Sequence, residues 1–141
     1  MNKQTYIFTI LVAGVLIIAQ SCYLDLDHGG LGCQNGSGPL VTESRGLPPY
    51  RSITNAIGAD VIIRQDNDQQ FRITAQQNIL NDITTRVVDG ALIIDYQGCF
   101  RNADIEVFVA NPEIAGVHNV GSGTILGDNV WQTDQLFLSI T

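Results

Sequence analysis

Hydrophobic and polar residues alternate with a period of two through much of the chain after Tyr50. Residues 71–75 and 103–109 show this alternation most clearly. Because side chains on a β-strand point alternately to opposite faces, such segments predict strands with one face in a core. Residues 61–63 and 92–94 are instead continuous apolar runs, which predict strands buried on both sides.

Turn-forming residues separate these segments at short intervals. Asp89-Gly90 predicts a two-residue β-hairpin, since both central positions tolerate a positive φ, and Asn67-Asp68 predicts a second hairpin. Pro112 ends a strand because its nitrogen has no proton to donate to a ladder. One short helical turn is predicted at residues 78–83. The predicted strands are residues 60–65, 70–76, 84–88, 91–96 and 103–109.

The last thirty residues suggest a repeating arrangement. Aligning Val117 with Leu138 gives an offset of 21 residues, and the corner at residues 121–123 reads Gly-Ser-Gly. Short strands with glycine corners at this spacing indicate stacked rungs of a β-solenoid. Two further hairpins of a β-sandwich would give a similar pattern, and both alternatives stay open. The corner glycines are expected to take φ and ψ values that other residues avoid.

The N-terminal residues predict export. Lys3 precedes an apolar stretch at residues 7–19, the pattern of a signal peptide. This stretch is shorter than the roughly 20 residues that a membrane-spanning helix needs. Residues 19–22, Ala-Gln-Ser-Cys, resemble the lipobox of bacterial lipoproteins. That resemblance implies cleavage before Cys22 and lipidation of its thiol, while ordinary secretory cleavage with a free Cys22 is the alternative.

The sequence thus divides into three parts. Residues 1–21 are a lipoprotein signal peptide with its helix, residues 22–49 carry the lipidated Cys22 and a flexible Gly-rich tether, and residues 50–141 form the β domain. The fold class is all-β, a β-solenoid-like stack of short strands and hairpins. Asp25, Asp27 and His28 could be drawn as metal ligands, but on a flexible tether we interpret them as solvated.

Charge and cysteine content fit the same compartment. The chain has 7 basic and 14 acidic residues and a net charge of -7, and its only lysine is Lys3. A nucleic-acid partner is therefore excluded, and attachment to an anionic membrane would depend on the lipid. Besides Cys22, the chain has Cys33 and Cys99, which could form a disulfide in an oxidising envelope. Whether they pair is open at this stage.

Candidate catalytic residues are few. His118 lies in a predicted strand, where an exposed or hydrogen-bonded histidine is more common than a general base. Asp104 and Glu106 are two residues apart, so they share one strand face, and we interpret them as solvated carboxylates rather than a glycosidase pair. Asp66 and Asp68 imitate the start of a calcium loop without its central glycine or distal glutamate. We expect no catalytic residue, no cofactor and no metal.

Four stretches of the β domain resemble the bacterial family named putative auto-transporter adhesin, head GIN domain. The resemblance implies an all-β, solenoid-like domain on the cell envelope, without a catalytic site and with self-association possible. It also implies further glycine-marked rungs, so the chain is expected to be a fragment or a shortened member. The stretches are residues 57–61, residues 71–75 with 78–80, residues 89–94 and residues 120–125.

These observations give one main functional hypothesis and two alternatives. The main hypothesis is a non-enzymatic lipoprotein attached to the outer membrane, facing the periplasm or the cell surface. Its β domain would act by contact with protein or carbohydrate, or by self-association. A carbohydrate-active enzyme on a β-solenoid is the first alternative, and a purely structural envelope protein is the second.

Overall fold

A computed structural model describes residues 32–141 of the protein. The predicted signal peptide, the predicted lipidation site Cys22 and the first part of the predicted tether lie outside these residues. The described part contains twelve strands and one short helix, α1 (Gln77–Leu80). The strands are β1 (Gln34–Asn35), β2 (Leu40–Ser44), β3 (Ser52–Asn55), β4 (Asp60–Gln65), β5 (Gln70–Gln76), β6 (Ile83–Val88), β7 (Ala91–Tyr96), β8 (Phe100–Arg101), β9 (Glu106–Asn111), β10 (Gly116–Asn119), β11 (Ile125–Gly127) and β12 (Phe137–Ile140).

The strands form two five-stranded sheets and one short ribbon. The first sheet has the order β12-β10-β3-β7-β6, and the second has the order β11-β4-β9-β5-β2. Strands β1 and β8 make the two-stranded ribbon. Buried side chains of both five-stranded sheets belong to one hydrophobic core, so the sheets pack on each other.

Parallel pairing dominates the first sheet, and in the second sheet it joins β11, β4 and β9. In the first sheet β7, β3, β10 and β12 are all parallel neighbours, and Leu92, Ile53, Val117 and Leu138 lie opposite one another in successive strands. The alignment of Val117 with Leu138, predicted from the 21-residue offset, is therefore present in the register. Parallel in-register pairing stacks side chains of similar polarity in columns, so that each inward column is continuous with the core.

A second offset, of 64 residues, relates two longer segments. Residues 52–65 and 116–129 run side by side through β3 with β10 and β4 with β11. Four pairs of residues joined by hydrogen bonds have this separation: Asn55 with Asn119, Asp60 with Thr124, Arg64 with Asp128 and Gln65 with Asn129. Polar side chains therefore link equivalent positions of the two segments along their length.

The corner between the strands of each segment is held by buried asparagines. Asn55 is fully buried, and its Nδ2 donates to Asn119 Oδ1 at 2.9 Å and to the backbone oxygen of Ala59 at 3.1 Å. Asn119 Nδ2 donates to the backbone oxygen of Gly123 at 2.7 Å. Each side-chain amide thus donates a hydrogen bond to a backbone carbonyl in the corner, where the chain leaves the sheet. A buried carbonyl without such a donor would carry a desolvation penalty.

The Gly-Ser-Gly corner is glycine-rich because of a close approach between backbones. A Cβ on Gly121 would lie 1.9 Å from the backbone oxygen of Ile57, and one on Gly123 would lie 1.8 Å from that of Ala59. Neither glycine is among the residues with positive φ. The expectation of unusual backbone angles is therefore wrong here, and the requirement for glycine is steric contact with the preceding corner.

One of the two predicted hairpins is confirmed and the other is wrong. Strands β6 and β7 pair in antiparallel fashion across Asp89-Gly90, where φ is 50° and 76°. Asn67-Asp68 does turn the chain between β4 and β5, but these strands do not pair with each other. Strand β9 lies between them and pairs with both, parallel to β4 and antiparallel to β5.

The two continuous apolar runs are not buried on both sides. Val61 and Ile63 point into the core, whereas Ile62 between them is only half-buried on the outer face. The same holds for Ile93 in β7. The domain has only two main layers, so the outer face of each sheet stays partly in contact with solvent.

The predicted tether is shorter than the sequence indicated. The compact unit begins at Cys33, and both β1 and β2 lie within the segment assigned to the flexible tether. Strand β2 pairs with β5 over five residues, although only Val41 of its side chains is even half-buried. The backbone ladder orders this segment, so the hydrophobic pattern gave little sign of it. Within residues 32–141, no helix is long and apolar enough to cross a membrane.

This segment closes one end of the domain together with β6 and α1. We call this end the capped end and define it as β1, β2, β6 and α1. Arg45 follows β2 and is the main link between the edges of the two large sheets. Its Nη1 donates to the backbone oxygen of Ile83 at 2.8 Å and to Thr85 Oγ1 at 3.3 Å, and both acceptors lie in β6. Its Nε also donates to Glu43 at 2.8 Å. One guanidinium therefore satisfies acceptors on both sheet edges.

Candidate functional site

The polar residues singled out in the sequence do not converge. His118 is half-buried on the outer face of the first sheet, with Thr54 and Ser139 as its register partners. Asp104 precedes β9 and accepts a hydrogen bond from Gln76 Nε2 at 3.3 Å. Glu106 begins β9 on the outer face of the second sheet, opposite Thr74. The three side chains thus have separate surroundings.

The other candidate ligand groups occupy turns or lie outside the described residues. Asp66 accepts a hydrogen bond from the backbone nitrogen of Asp68 at 3.5 Å, which is the geometry of a local turn. Within residues 32–141 no three His, Cys, Asp or Glu side chains are grouped as a metal ion would require. Asp25, Asp27 and His28 lie outside the described residues.

The structure brings Cys33 and Cys99 together in a disulfide. Their Cα atoms are 4.6 Å apart, and 66 residues separate them in the sequence. The bond lies beside the ribbon of β1 and β8, where the backbone nitrogen of Gln34 donates to the oxygen of Cys99 at 2.9 Å. It therefore attaches the first residue of the compact unit to the stack.

Two tyrosines, the buried Tyr50 and the half-buried Tyr96, have raised pKa values. Burial raises the pKa of Tyr50 to about 12, and its hydroxyl has no hydrogen-bond partner among the described residues. Burial, with a smaller contribution from the negative charge of Asp82, raises the pKa of Tyr96. Tyr96 donates its hydroxyl proton to Gln34 Oε1 at 2.6 Å and so helps to hold β1. We assign both tyrosines a structural role.

Exposed hydrophobic side chains are concentrated opposite the capped end. We call this region the open end and define it as β11, β12 and the residues from 120 to 140. Among the described residues nine large hydrophobic side chains are exposed, and seven of them lie in this region. They are Val120, Leu126, Val130, Leu136, Phe137, Leu138 and Ile140.

Strand β12 is the edge of the first sheet at the open end. Leu138 continues the inward column of Ile53 and Val117, yet it is 68% exposed, and Ile140 is 84% exposed. Leu138 and Ile140 are uncovered because the second sheet ends at the short strand β11, which offers nothing opposite them in the described part of the chain. The outer edge of β12 also has no neighbouring strand there. Such an edge can pair with another strand.

A groove lies on the side of the stack near the start of β12. Its volume is about 950 Å³. It crosses the starts of the neighbouring strands β3, β10 and β12, where Arg51, Ala115 and Phe137 line it. One wall is the segment of residues 131–135 that follows β11. Sequence reasoning missed this groove because its parts come from three separate corners. The sequence feature that could have indicated the groove is the lone tryptophan, Trp131, in a polar segment.

The β domain matches a known protein family. Residues 49–141 match the family described as putative auto-transporter adhesin, head GIN domain. The chain belongs to this family. The resemblance found in the sequence is thereby confirmed, and the family description is that of an adhesin head domain. None of the curated proteins compared with the chain matches it.

Solved structures of other bacterial proteins share this fold. A putative adhesin from Bacteroides fragilis is 20% identical with a TM-score of 0.70, covering 74% of this chain and 50% of that one. A putative adhesin from Parabacteroides merdae is 16% identical with a TM-score of 0.70, covering 78% and 47%. A putative lipid binding protein from Parabacteroides distasonis is 17% identical with a TM-score of 0.69, covering 77% and 49%. The chain spans about half the length of these structures.

Proposed function

We propose that this head GIN-domain protein is a non-enzymatic lipoprotein of the cell envelope whose β domain acts by contact. The observation that carries the proposal is the open end, where an unpaired strand edge and seven exposed hydrophobic side chains lie together. Soluble proteins rarely expose contiguous apolar surface of this kind unless something binds it. Family membership supports an adhesin-like role.

The contact at the open end is with another β-strand. An incoming strand in parallel register with β12 would continue the sequence of levels β7, β3, β10 and β12 as a solenoid-like stack. Apolar residues facing Leu138 and Ile140 would extend the core column. The strand belongs either to the same polypeptide or to a second copy, which makes the domain able to lengthen or to self-associate.

Attachment to the outer membrane is through Cys22 in this proposal. The Ala-Gln-Ser-Cys sequence at residues 19–22 supports lipidation, and multiple acyl chains give stable anchoring where one is marginal. The test is intact-mass analysis of membrane fractions from wild type and Cys22→Ala. We expect acyl mass on the wild type only, with the variant released in soluble form. An unmodified, soluble wild type would refute the anchor.

Self-association through the open end has its own test. We expect wild-type protein to show concentration-dependent association in sedimentation velocity, and Ile140→Asp to shift it to monomer, because a carboxylate opposes burial of this edge. Leu40→Asp is the matched control, since Leu40 is 56% exposed but lies on β2 at the capped end. Both variants should keep the wild-type unfolding free energy within about 0.5 kcal/mol. Equal behaviour of the two variants would argue against the open end as the contact surface.

A further inference from the structure

We propose that the lateral groove at Trp131 binds a neutral oligosaccharide. This inference deepens the proposed function and rests on it, because it names a ligand class for a contact domain. The groove shares residues 131–137 with the open end, but it runs along the side of the sheet beside β3, β10 and β12 and does not include the outer edge of β12. A ligand here would therefore leave the edge of β12 free.

The wall of the groove is held in place by side chains of the second sheet. Gln65 Nε2 donates to the backbone oxygens of Pro112 and Gln132, at 3.0 Å each, and Gln65 Oε1 accepts from the backbone nitrogen of Gln132 at 2.5 Å. Arg64 Nε donates to Asp128 at 2.8 Å, just before the wall begins. The wall is thus preorganised, which lowers the ordering cost of binding.

The chemistry of the groove suits a ligand with many hydroxyl groups. Trp131 and the exposed ring of Phe137 offer aromatic surface, while the amides of Gln132 and Gln135 can both donate and accept hydrogen bonds. Sites for drug-like molecules are lined mainly by apolar groups, and this groove is lined mainly by polar ones. Sugars combine apolar C–H faces with polar edges, so they match this mixture.

Charge favours a neutral sugar over an acidic one. Arg51 and Glu113, which both line the groove, form an ion pair, and this leaves the carboxylate of Asp134 as the uncompensated charge among the lining residues. The whole chain carries a net charge of -7. Polyanionic glycans would meet repulsion both in the groove and from the protein as a whole.

The indole of Trp131 supplies the second, independent observation. Its ring packs against the hydrophobic core, while its Nε1 proton is buried and has no acceptor within residues 32–141. Buried tryptophan N–H groups usually have a hydrogen-bond partner. A sugar hydroxyl would provide one after rotation of neighbouring side chains, while Gln65 keeps the backbone of the wall in place.

The test uses the only tryptophan of the chain as the reporter. Full-length protein in a detergent without sugar headgroups is titrated with maltohexaose, cellohexaose and mannohexaose, and with trigalacturonate as the charged comparison. We expect at least one neutral hexasaccharide to shift the Trp131 fluorescence saturably and to give heat in calorimetry. Trigalacturonate should bind at least about 10-fold more weakly.

Three variants locate the site. By calorimetry, Gln135→Ala and Trp131→Phe should each weaken sugar binding about 10-fold, the second because a smaller aromatic ring without an N–H replaces the indole. Gln69→Ala is the control and should bind as wild type, because Gln69 does not line the groove and its amide donates to the backbone oxygens of Leu47 and Pro48. Circular dichroism checks that each variant is folded.

Several results would overturn the inference. They are the absence of fluorescence shift and heat with all three neutral sugars at millimolar concentrations, tighter binding of trigalacturonate, or binding unaffected by both groove variants. If lipidation of Cys22 and association through the open end are observed while all sugars fail, the proposed function stands and only this inference falls.

Discussion

At the capped end both large sheets finish on antiparallel strands, whereas at the open end both finish on short parallel ones. The edge strands β2 and β6 expose mainly polar residues such as Thr42 and Arg86, while β12 exposes Phe137, Leu138 and Ile140. Charged and polar side chains discourage edge pairing, and apolar ones allow it. Among the described residues, the sheets thus finish on mainly polar edge strands at the capped end, whereas β12 at the open end is an apolar edge strand.

The two ends also differ in what holds them. Arg45 and the disulfide between Cys33 and Cys99 fasten the capped end with bonds that span long sequence separations. Toward the open end, each level is held to the preceding one by in-register ladders and by close backbone contact at the corners. Substitutions can therefore weaken one end while leaving the other largely intact.

The largest effect is expected from Gly121→Ala, which attacks the stacking toward the open end. The added Cβ would lie 1.9 Å from the backbone oxygen of Ile57, so the corners must separate and lose the hydrogen bonds to the oxygen of Asn55. We expect the unfolding free energy to fall by about 4 kcal/mol or more, measured by urea denaturation.

Gly46→Ala is the matched control for that substitution. Gly46 has open space around its Cβ position and no positive φ. Its replacement should leave stability unchanged or raise it by up to about 1 kcal/mol, since alanine restricts the unfolded chain. Similar losses in the two variants would show that the corner contact is not the source of the effect.

Removing the disulfide should have the next largest effect, at the capped end. In Cys33→Ser/Cys99→Ser the unfolded chain regains the freedom of a loop that spans 66 residues. We expect a loss of about 3 kcal/mol in chemical denaturation. Amide hydrogen exchange should accelerate mainly in β1 and β2. An equal acceleration in β12 would show that the two ends are not independent.

Arg45→Met tests the polar link at the capped end with a smaller expected effect. Methionine keeps part of the apolar stem but leaves the oxygen of Ile83 and the hydroxyl of Thr85 without this donor. We expect a loss of about 2 kcal/mol by thermal or urea unfolding. Arg86→Met, which removes an exposed ion pair with Asp95, should change stability by less than about 0.5 kcal/mol. Equal losses in the two variants would show that the hydrogen bonds of Arg45 to β6 contribute no more stability than an exposed ion pair.

Local features of the sequence predicted much of the fold. Strands β4 and β5 have the predicted bounds, and the Asp89-Gly90 hairpin forms where its turn residues indicated. The family resemblance and the alignment of Val117 with Leu138 were also visible. Period, turn chemistry and short repeats are properties of neighbouring residues, so they can be seen without the fold.

Features that depend on distant contacts could not be predicted in this way. Strand β2 has little apolar content and is ordered by pairing with β5, so it looked like a linker. Gly121 is required because of a backbone that lies 64 residues earlier. The groove at Trp131 needs corners from three levels to come together. None of these leaves a periodic signal in the sequence.

The position of the disulfide would have a mechanical consequence if the protein is anchored through Cys22, as proposed. Cys33 is the first residue of the compact unit, and Cys99 lies within the stack beside β8. Tension arriving from the N-terminal side would pass into the stack through a covalent bond at Cys33. Strands β1 and β2 would therefore be shielded from being peeled away one hydrogen bond at a time when the head is pulled.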